Sequence, residues 1–178
     1  QLSAHGIHFL DAPVSGGREG AEKGTMVIMA GGDQAVFKRM QPVFEAIGSK
    51  AVWMGPSGAG QSTKAVNQIM AAGINQAVTD ALAFAISQQL DTDKVIDVIQ
   101  SGAADNWFLR HRGQSMCAGS FEPGFRVALH HKDLMICREM LGDNPSVVIE
   151  QTLVHYQQLM DAAFGAEAIS PLFSPTLS

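Results

Sequence analysis

Three short stretches of this chain carry residue types whose spacing could do chemistry. In Lys64-Ala65-Val66-Asn67-Gln68, positions i, i+3 and i+4 of a helix share one face. One ammonium and two amides would project together, an arrangement suited to holding a polar, anionic substrate and moving a proton. A lysine titrates near ~10.4 in water and must be destabilised as a cation to exchange protons near neutrality. Burial against a helix of small residues would supply that, whereas a solvated lysine beside two surface amides would do nothing.

The second stretch is Asp11-Ala12-Pro13-Val14-Ser15-Gly16-Gly17, with Gly20-Ala21 and Gly24-Thr25 behind it. Ser-Gly-Gly after a strand offers a hydroxyl and two approachable N–H groups, a nest for a carboxylate or phosphate oxygen. A tight turn needing glycine for its dihedrals would have the same residues. The third stretch is His130-His131-Lys132-Asp133-Leu134. Adjacent histidines on a helix point roughly 100° apart, so a shared metal ion is not expected there. Lys132 is either a cation aimed into a cleft or an ordinary surface charge.

A fourth pattern competes for Lys64. Gly55-Pro56-Ser57-Gly58-Ala59-Gly60-Gln61-Ser62 nearly spells a P-loop, whose glycine N–H groups wrap phosphates while a lysine reaches the β and γ oxygens. The lysine position is Gln61, and Lys64 falls three residues late, inside the expected helix. Nucleotide triphosphate binding is therefore not expected.

The elements that must position these residues change character along the chain. Strands are expected near 7–12, 25–30 and 51–54, the first stopped by Pro13 and the second closed by Gly31-Gly32. Asp33 should cap a helix with an apolar stripe at Val36, Phe37, Met40, Val43, Phe44 and Ile47, ended by Gly48. From Gln61 to about Gln89 there is no proline, small residues are dense, and the apolar stripe is wide, which predicts a long helix buried on most sides. Further helices are expected after Asp91 or Thr92, over Phe108–Met116, Val127–Leu141 and Val147–Met160, with an irregular end over Ile169–Ser178. Residues 1–57 thus read as the C-terminal part of a nucleotide-binding α/β domain, and 58–178 as an all-helical domain opened by a long helix.

The bulk composition narrows the class. The chain has 178 residues, 46% hydrophobic and 16% charged, which suits a folded globular protein. A formal net charge of −5 with no basic stripe argues against nucleic acid as a partner. The apolar stretches are broken by Gln, Asn, Ser or Thr, so no membrane span is expected. The first residues resemble no signal peptide, and without a starting methionine they read as an internal cut point. Two cysteines, Cys117 and Cys137, make no disulfide framework, which predicts reduced thiols and a cytoplasmic location.

Taken together, Asp11-Ala-Pro-Val-Ser-Gly-Gly17 with Gly24-Thr25-Met26, then Gly58-x-Gly60-x-x-x-Lys64-x-x-Asn67-Gln68, then Phe121-x-Pro123-Gly124-Phe125 and Lys132-Asp133-Leu134 resemble the β-hydroxyacid dehydrogenase family in order and spacing. The Lys-x-x-Asn-Gln form is most similar to its tartronate semialdehyde reductase branch. The resemblance implies a Rossmann-type α/β domain binding NAD or NADP, followed by an all-helical domain of the 6-phosphogluconate dehydrogenase C-terminal type. It implies that Ser15, Gly16 and Gly17 hold a substrate carboxylate, and that Lys64 is the acid/base. Asn67 and Gln68 would orient substrate. Lys132, with Phe125, would bind cofactor and close the cleft from the helical domain. It also implies a homodimer or homotetramer through the helical domain, a small hydroxy-acid or semialdehyde substrate, and no metal.

One departure is large. The dinucleotide fingerprint G-x-G-x-x-G after a first strand is absent, and Gly55–Gly60 does not replace it. The chain is therefore expected to be a C-terminal portion lacking about 110 to 120 residues of its α/β domain, and unable to bind cofactor alone. Two other readings stay open: a non-catalytic helical dimerisation module of the same fold, and an imine-reducing relative, against which the retained Lys64 weighs.

Overall fold

The computed structural model describes residues 2–120 and 126–162. The chain divides into two compact units, the first ending at Asn67 and the second starting at Gln68. The division falls inside a helix, ten residues beyond the change of character at residue 58.

The first unit is built around one strand. After a 3-10 turn over Leu2–His5 come β1 (Leu10–Asp11), β2 (Val14–Ser15), α1 (Gly17–Glu22), β3 (Met26–Gly32), α2 (Gln34–Arg39), α3 (Gln41–Ile47) and β4 (Gly48–Gly55). β4 runs parallel to β3 along nearly its whole length, while β1 and β2 both pair antiparallel with β3. A strand has only two edges, so β1 and β2 share the edge that β4 leaves.

The expected first strand is corrected here. Ile7–Phe9 are not strand, and Pro13 interrupts rather than ends the pairing: its carbonyl accepts Met29 N–H at 2.9 Å, and β2 resumes beyond it. Proline removes a donor but leaves an acceptor, which an edge position tolerates. The second strand runs through Gly31-Gly32 instead of closing there.

The single helix expected after Asp33 is also corrected. Asp33 does cap it, accepting from Ala35 N–H at 2.8 Å and Val36 N–H at 2.9 Å, but the helix breaks at Met40 and restarts as α3. Pro42, in the first turn of α3, cannot donate to the preceding turn and would clash with it. The apolar stripe survives the break, because Phe37 and Phe44 still stack at 5.5 Å on Ile28 and Ala30 of β3. Gly48 ends α3 as expected, and a Cβ there would strike the Met26 carbonyl of the neighbouring strand.

α4 (Ala59–Ser87) opens within the first unit and continues into the second. The second unit adds α5 (Thr92–Gln100), α6 (Trp107–Cys117), α7 (Val127–Leu141) and α8 (Val147–Asp161). Asp91 caps α5, Asn106 caps α6 and Ser146 caps α8, each side chain accepting a backbone N–H. Val78 and Leu82 of α4 pack with Ile96, Leu109 and Met116, while α7 and α8 pack against each other, with Leu134, Ile149, Leu153 and Leu159 buried. Cys117 and Cys137 are not disulfide-bonded, and burial pushes both thiols up in pKa.

One expectation about α4 fails. It is not buried on most sides: Met70, Phe84 and Ile86 are 59%, 63% and 42% exposed. Among the described residues, the packing helices cover one side of a stripe that runs wider than they do. α4 is also long and apolar enough, by length and composition only, to cross a membrane, its most apolar 18 residues having a mean hydropathy of 1.4. Gln68, Asn75 and Thr79 are nevertheless buried in the protein.

Candidate functional site

In the first unit, the structure joins two of the sequence stretches. Lys64, in the second turn of α4, is half-buried and donates from Nζ to the Val14 carbonyl at 3.0 Å. Val14 is bonded directly to Ser15, so the ammonium lies at the entrance to the Ser15-Gly16-Gly17 turn. Gly16 and Gly17 have φ of 128° and 60°, where other residues are strained. A Cβ on Gly17 would meet nothing within 4 Å, so the turn is open at Gly17, whereas one on Gly16 would meet the Gly20 and Met26 backbones at 3.4 and 3.5 Å. Ser15 stays half-buried in β2, paired with Val27.

What holds the start of α4 was not foreseen. Asp11, at the end of β1, is only 7% exposed. Its Oδ1 accepts Gly58 N–H at 2.6 Å and its Oδ2 accepts Gln61 N–H at 3.0 Å. Desolvation pushes this carboxyl upward in pKa, but the N–H groups of Gly58, Gln61 and Gly60 together outweigh it and hold the group below its usual range. The N–H groups that a P-loop would turn to phosphate are thus engaged by a carboxylate of the same chain. The only sequence signal was an acid within an apolar strand, with a glycine-rich helix start elsewhere to receive it.

The second unit contains the rest. Gln68 is 3% exposed, and α7 grips it twice. Its Nε2 donates to Asp133 Oδ2 at 2.7 Å, and its backbone carbonyl meets His130 Nε2 at 3.1 Å. A carbonyl only accepts, so Nε2 carries the hydrogen, and Nδ1 shares a hydrogen bond with the Tyr156 hydroxyl at 2.9 Å. His130 and Tyr156 are both fully buried, and desolvation raises the Tyr156 pKa. With both ring nitrogens bonded to protein groups, His130 is spoken for as a metal ligand. His131 is held below its ordinary pKa by burial and then by the Arg138 cation.

Lys132 is exposed and pairs with its neighbour Asp133, Nζ to Oδ1 at 2.7 Å. Asp133 therefore takes Gln68 on one oxygen and Lys132 on the other. Asn67 is exposed on α4, one residue from the buried Gln68. Phe125 and the Phe121–Gly124 motif lie outside the described residues, as do Ile169–Ser178. A concavity of about 690 Å³ in the first unit is lined by Leu2, Ile7, Phe9, Val36 and Pro56, and none of the residues expected to bind substrate or move a proton lines it.

This fold, a small mixed sheet followed by an all-helical unit, is that of the 3-hydroxyisobutyrate dehydrogenases. A solved 3-hydroxyisobutyrate dehydrogenase of Mycobacterium tuberculosis, described with L-serine, superposes with a TM-score of 0.87 at 28% identity, covering 99% of this chain and 63% of that one. The family model for the NAD-binding region of NADP-dependent 3-hydroxyisobutyrate dehydrogenase matches residues 58–168, and that for the NAD binding domain of 6-phosphogluconate dehydrogenase matches residues 1–55. The 2-hydroxy-3-oxopropionate reductase of Escherichia coli K12 is 44% identical over 134 residues, 75% of this chain and 46% of that protein. The 2-(hydroxymethyl)glutarate dehydrogenase of Eubacterium barkeri is 34% identical over 154 residues, 85% of this chain and 50% of that protein. The chain belongs to the β-hydroxyacid dehydrogenase family. It spans about half the length of the curated relatives it matches.

Proposed function

We propose that the protein containing this chain is an NAD- or NADP-dependent oxidoreductase that interconverts a small β-hydroxy acid and its semialdehyde. The observation that carries this reading is the Lys64 ammonium at the Val14 carbonyl, 3.0 Å away, beside an open Ser-Gly-Gly turn. The turn holds the substrate carboxylate through the Ser15 hydroxyl and the Gly16 and Gly17 N–H groups. Lys64 gives a proton to the carbonyl oxygen during reduction and takes it back from the hydroxyl during oxidation. Asn67 aligns the substrate, with Gln68 buried beside it and acting through its bond to Asp133, and Lys132 and Phe125 help to hold the cofactor. The nicotinamide supplies hydride transfer when bound, and the chain's residues supply alignment and the proton.

The relatives' names support the substrate class, since 3-hydroxyisobutyrate and L-serine are both β-hydroxy acids and 2-hydroxy-3-oxopropionate is a semialdehyde. Exposed Met70, Phe84 and Ile86 on α4 support self-association into a homodimer or homotetramer, which light scattering checks.

The test is turnover by the full-length protein of a panel of β-hydroxy acids and three- to five-carbon semialdehydes with each nicotinamide cofactor. Lys64→Ala should lower kcat by about 10² to 10⁴ while leaving the fold intact. Normal turnover in Lys64→Ala would overturn the assignment and favour the non-catalytic helical module.

A further inference from the structure

We propose that Asp11 is the positioning residue for Lys64: its carboxylate takes the place of a bound anion at the start of α4 and fixes the turns from which the lysine reaches Val14. The proposal rests on the reading of Lys64 as the proton carrier.

Asp11 is a buried carboxylate with no salt bridge among the described residues. A buried charge must be compensated, and this one is compensated by the backbone of Gly58–Gln61. The first N–H groups of a helix have no partners within it, so a carboxylate among them satisfies both sides at once. Room for it is made by two missing side chains. A Cβ on Gly31 would lie 2.7 and 2.8 Å from the Asp11 oxygens, and one on Gly60 would lie 2.7 Å from Oδ2. Such separations essentially never occur for real Cβ atoms.

The consequence for Lys64 is geometric. Asp11 is paired with Gly31 in the sheet, so its carboxylate is fixed to β3. Three residues after Asp11 comes Val14, and three residues after Gln61 comes Lys64. The two segments are bonded at both ends, Asp11 to Gly58 and Gln61, and Val14 to Lys64. Releasing the first pair of bonds lets the start of α4 shift against the strands, and the Nζ that faces the Ser15-Gly16-Gly17 turn shifts with it. A catalytic group misplaced by about 1 Å can cost 10²-fold in rate.

Two variants of the full-length protein test this. Asp11→Asn keeps the shape but presents an amide NH₂ to a backbone N–H. Asp11→Ala leaves a carboxylate-sized gap that added formate can fill. Both should lower kcat by about 100-fold with KM changed far less. Amide hydrogen exchange over residues 57–64 should quicken in both. Formate should restore turnover and slow exchange in Asp11→Ala, and do neither in Asp11→Asn. A folded Asp11→Asn whose kcat falls only as far as its folded fraction overturns the proposal, as does a folded Asp11→Ala indifferent to formate in exchange. If Asp11→Ala does not fold, the kcat-against-KM split and the exchange pattern of Asp11→Asn decide. If Lys64→Ala retains turnover, the functional reading fails on its own. Formate-dependent protection of residues 57–64 would still report whether Asp11 anchors the helix.

Discussion

α4 is held in two places by opposite means. At its start, in the first unit, one negative charge gathers the N–H groups of Gly58 and Gln61. One turn past Lys64, in the second unit, Gln68 is held by hydrogen bonds to α7, with the buried His130–Tyr156 pair behind its carbonyl. The first anchor depends on ionisation, while the His130–Tyr156 part of the second depends on close packing around two buried rings. A charge on backbone donors tolerates only another carboxylate of the same reach. A buried ring pair inside a core is most sensitive to changes of volume, since losing a large side chain leaves a cavity.

The largest effect that would sharpen this contrast is in the second unit. Tyr156→Ala removes a fully buried ring and should cost about 3 to 5 kcal/mol in denaturant unfolding. A loss near 1 kcal/mol, the worth of the hydrogen bond alone, would break the contrast. Next comes Asp11→Asn, expected to cost about 2 kcal/mol near neutral pH, since bonds to a charged group are lost. Its signature is pH. The folded Asp11 pKa lies below the ordinary 3.8, so its contribution is complete above that value and is lost as pH falls through the lower folded pKa. Acid unfolding of the wild type should therefore be steeper below pH 4 than that of Asp11→Asn, and identical slopes would remove the charge from the account. The smallest effect belongs to Lys132. Its pair with Asp133 is exposed on the lysine side, so Lys132→Ala should change stability by less than ~1 kcal/mol. A larger loss would make the Gln68–Asp133 bond dependent on that cation.

The parts of the fold legible in sequence are those governed by local rules. Asp33 and Asp91 cap helices by contacts two or three residues away, and α7 has the bounds that its apolar spacing predicts. Pro42 shows a local rule overlooked, since the apolar stripe continues across a break that the proline imposes. The illegible parts are set by long-range pairing. Nothing near Asp11 says that its partners lie 47 and 50 residues on. Nothing near His130 names Tyr156, 26 residues away, because any buried polar group can satisfy a ring nitrogen. Lys64 was legible as a residue of interest, but its partner Val14 offers only a backbone carbonyl, which has no sequence signature.

The carboxylate at the head of α4 also turns the loop before it into a counterfeit. Gln61→Lys would complete the letters of a phosphate-binding motif, from Gly55 through Ser62. The donors that the motif advertises would remain spent on Asp11, and a phosphate arriving there would meet a charge of its own sign. The altered chain should match a nucleotide-binding pattern perfectly and bind no ATP in a calorimeter. The same letters would then describe two incompatible sites, told apart only by an aspartate 47 residues upstream of Gly58.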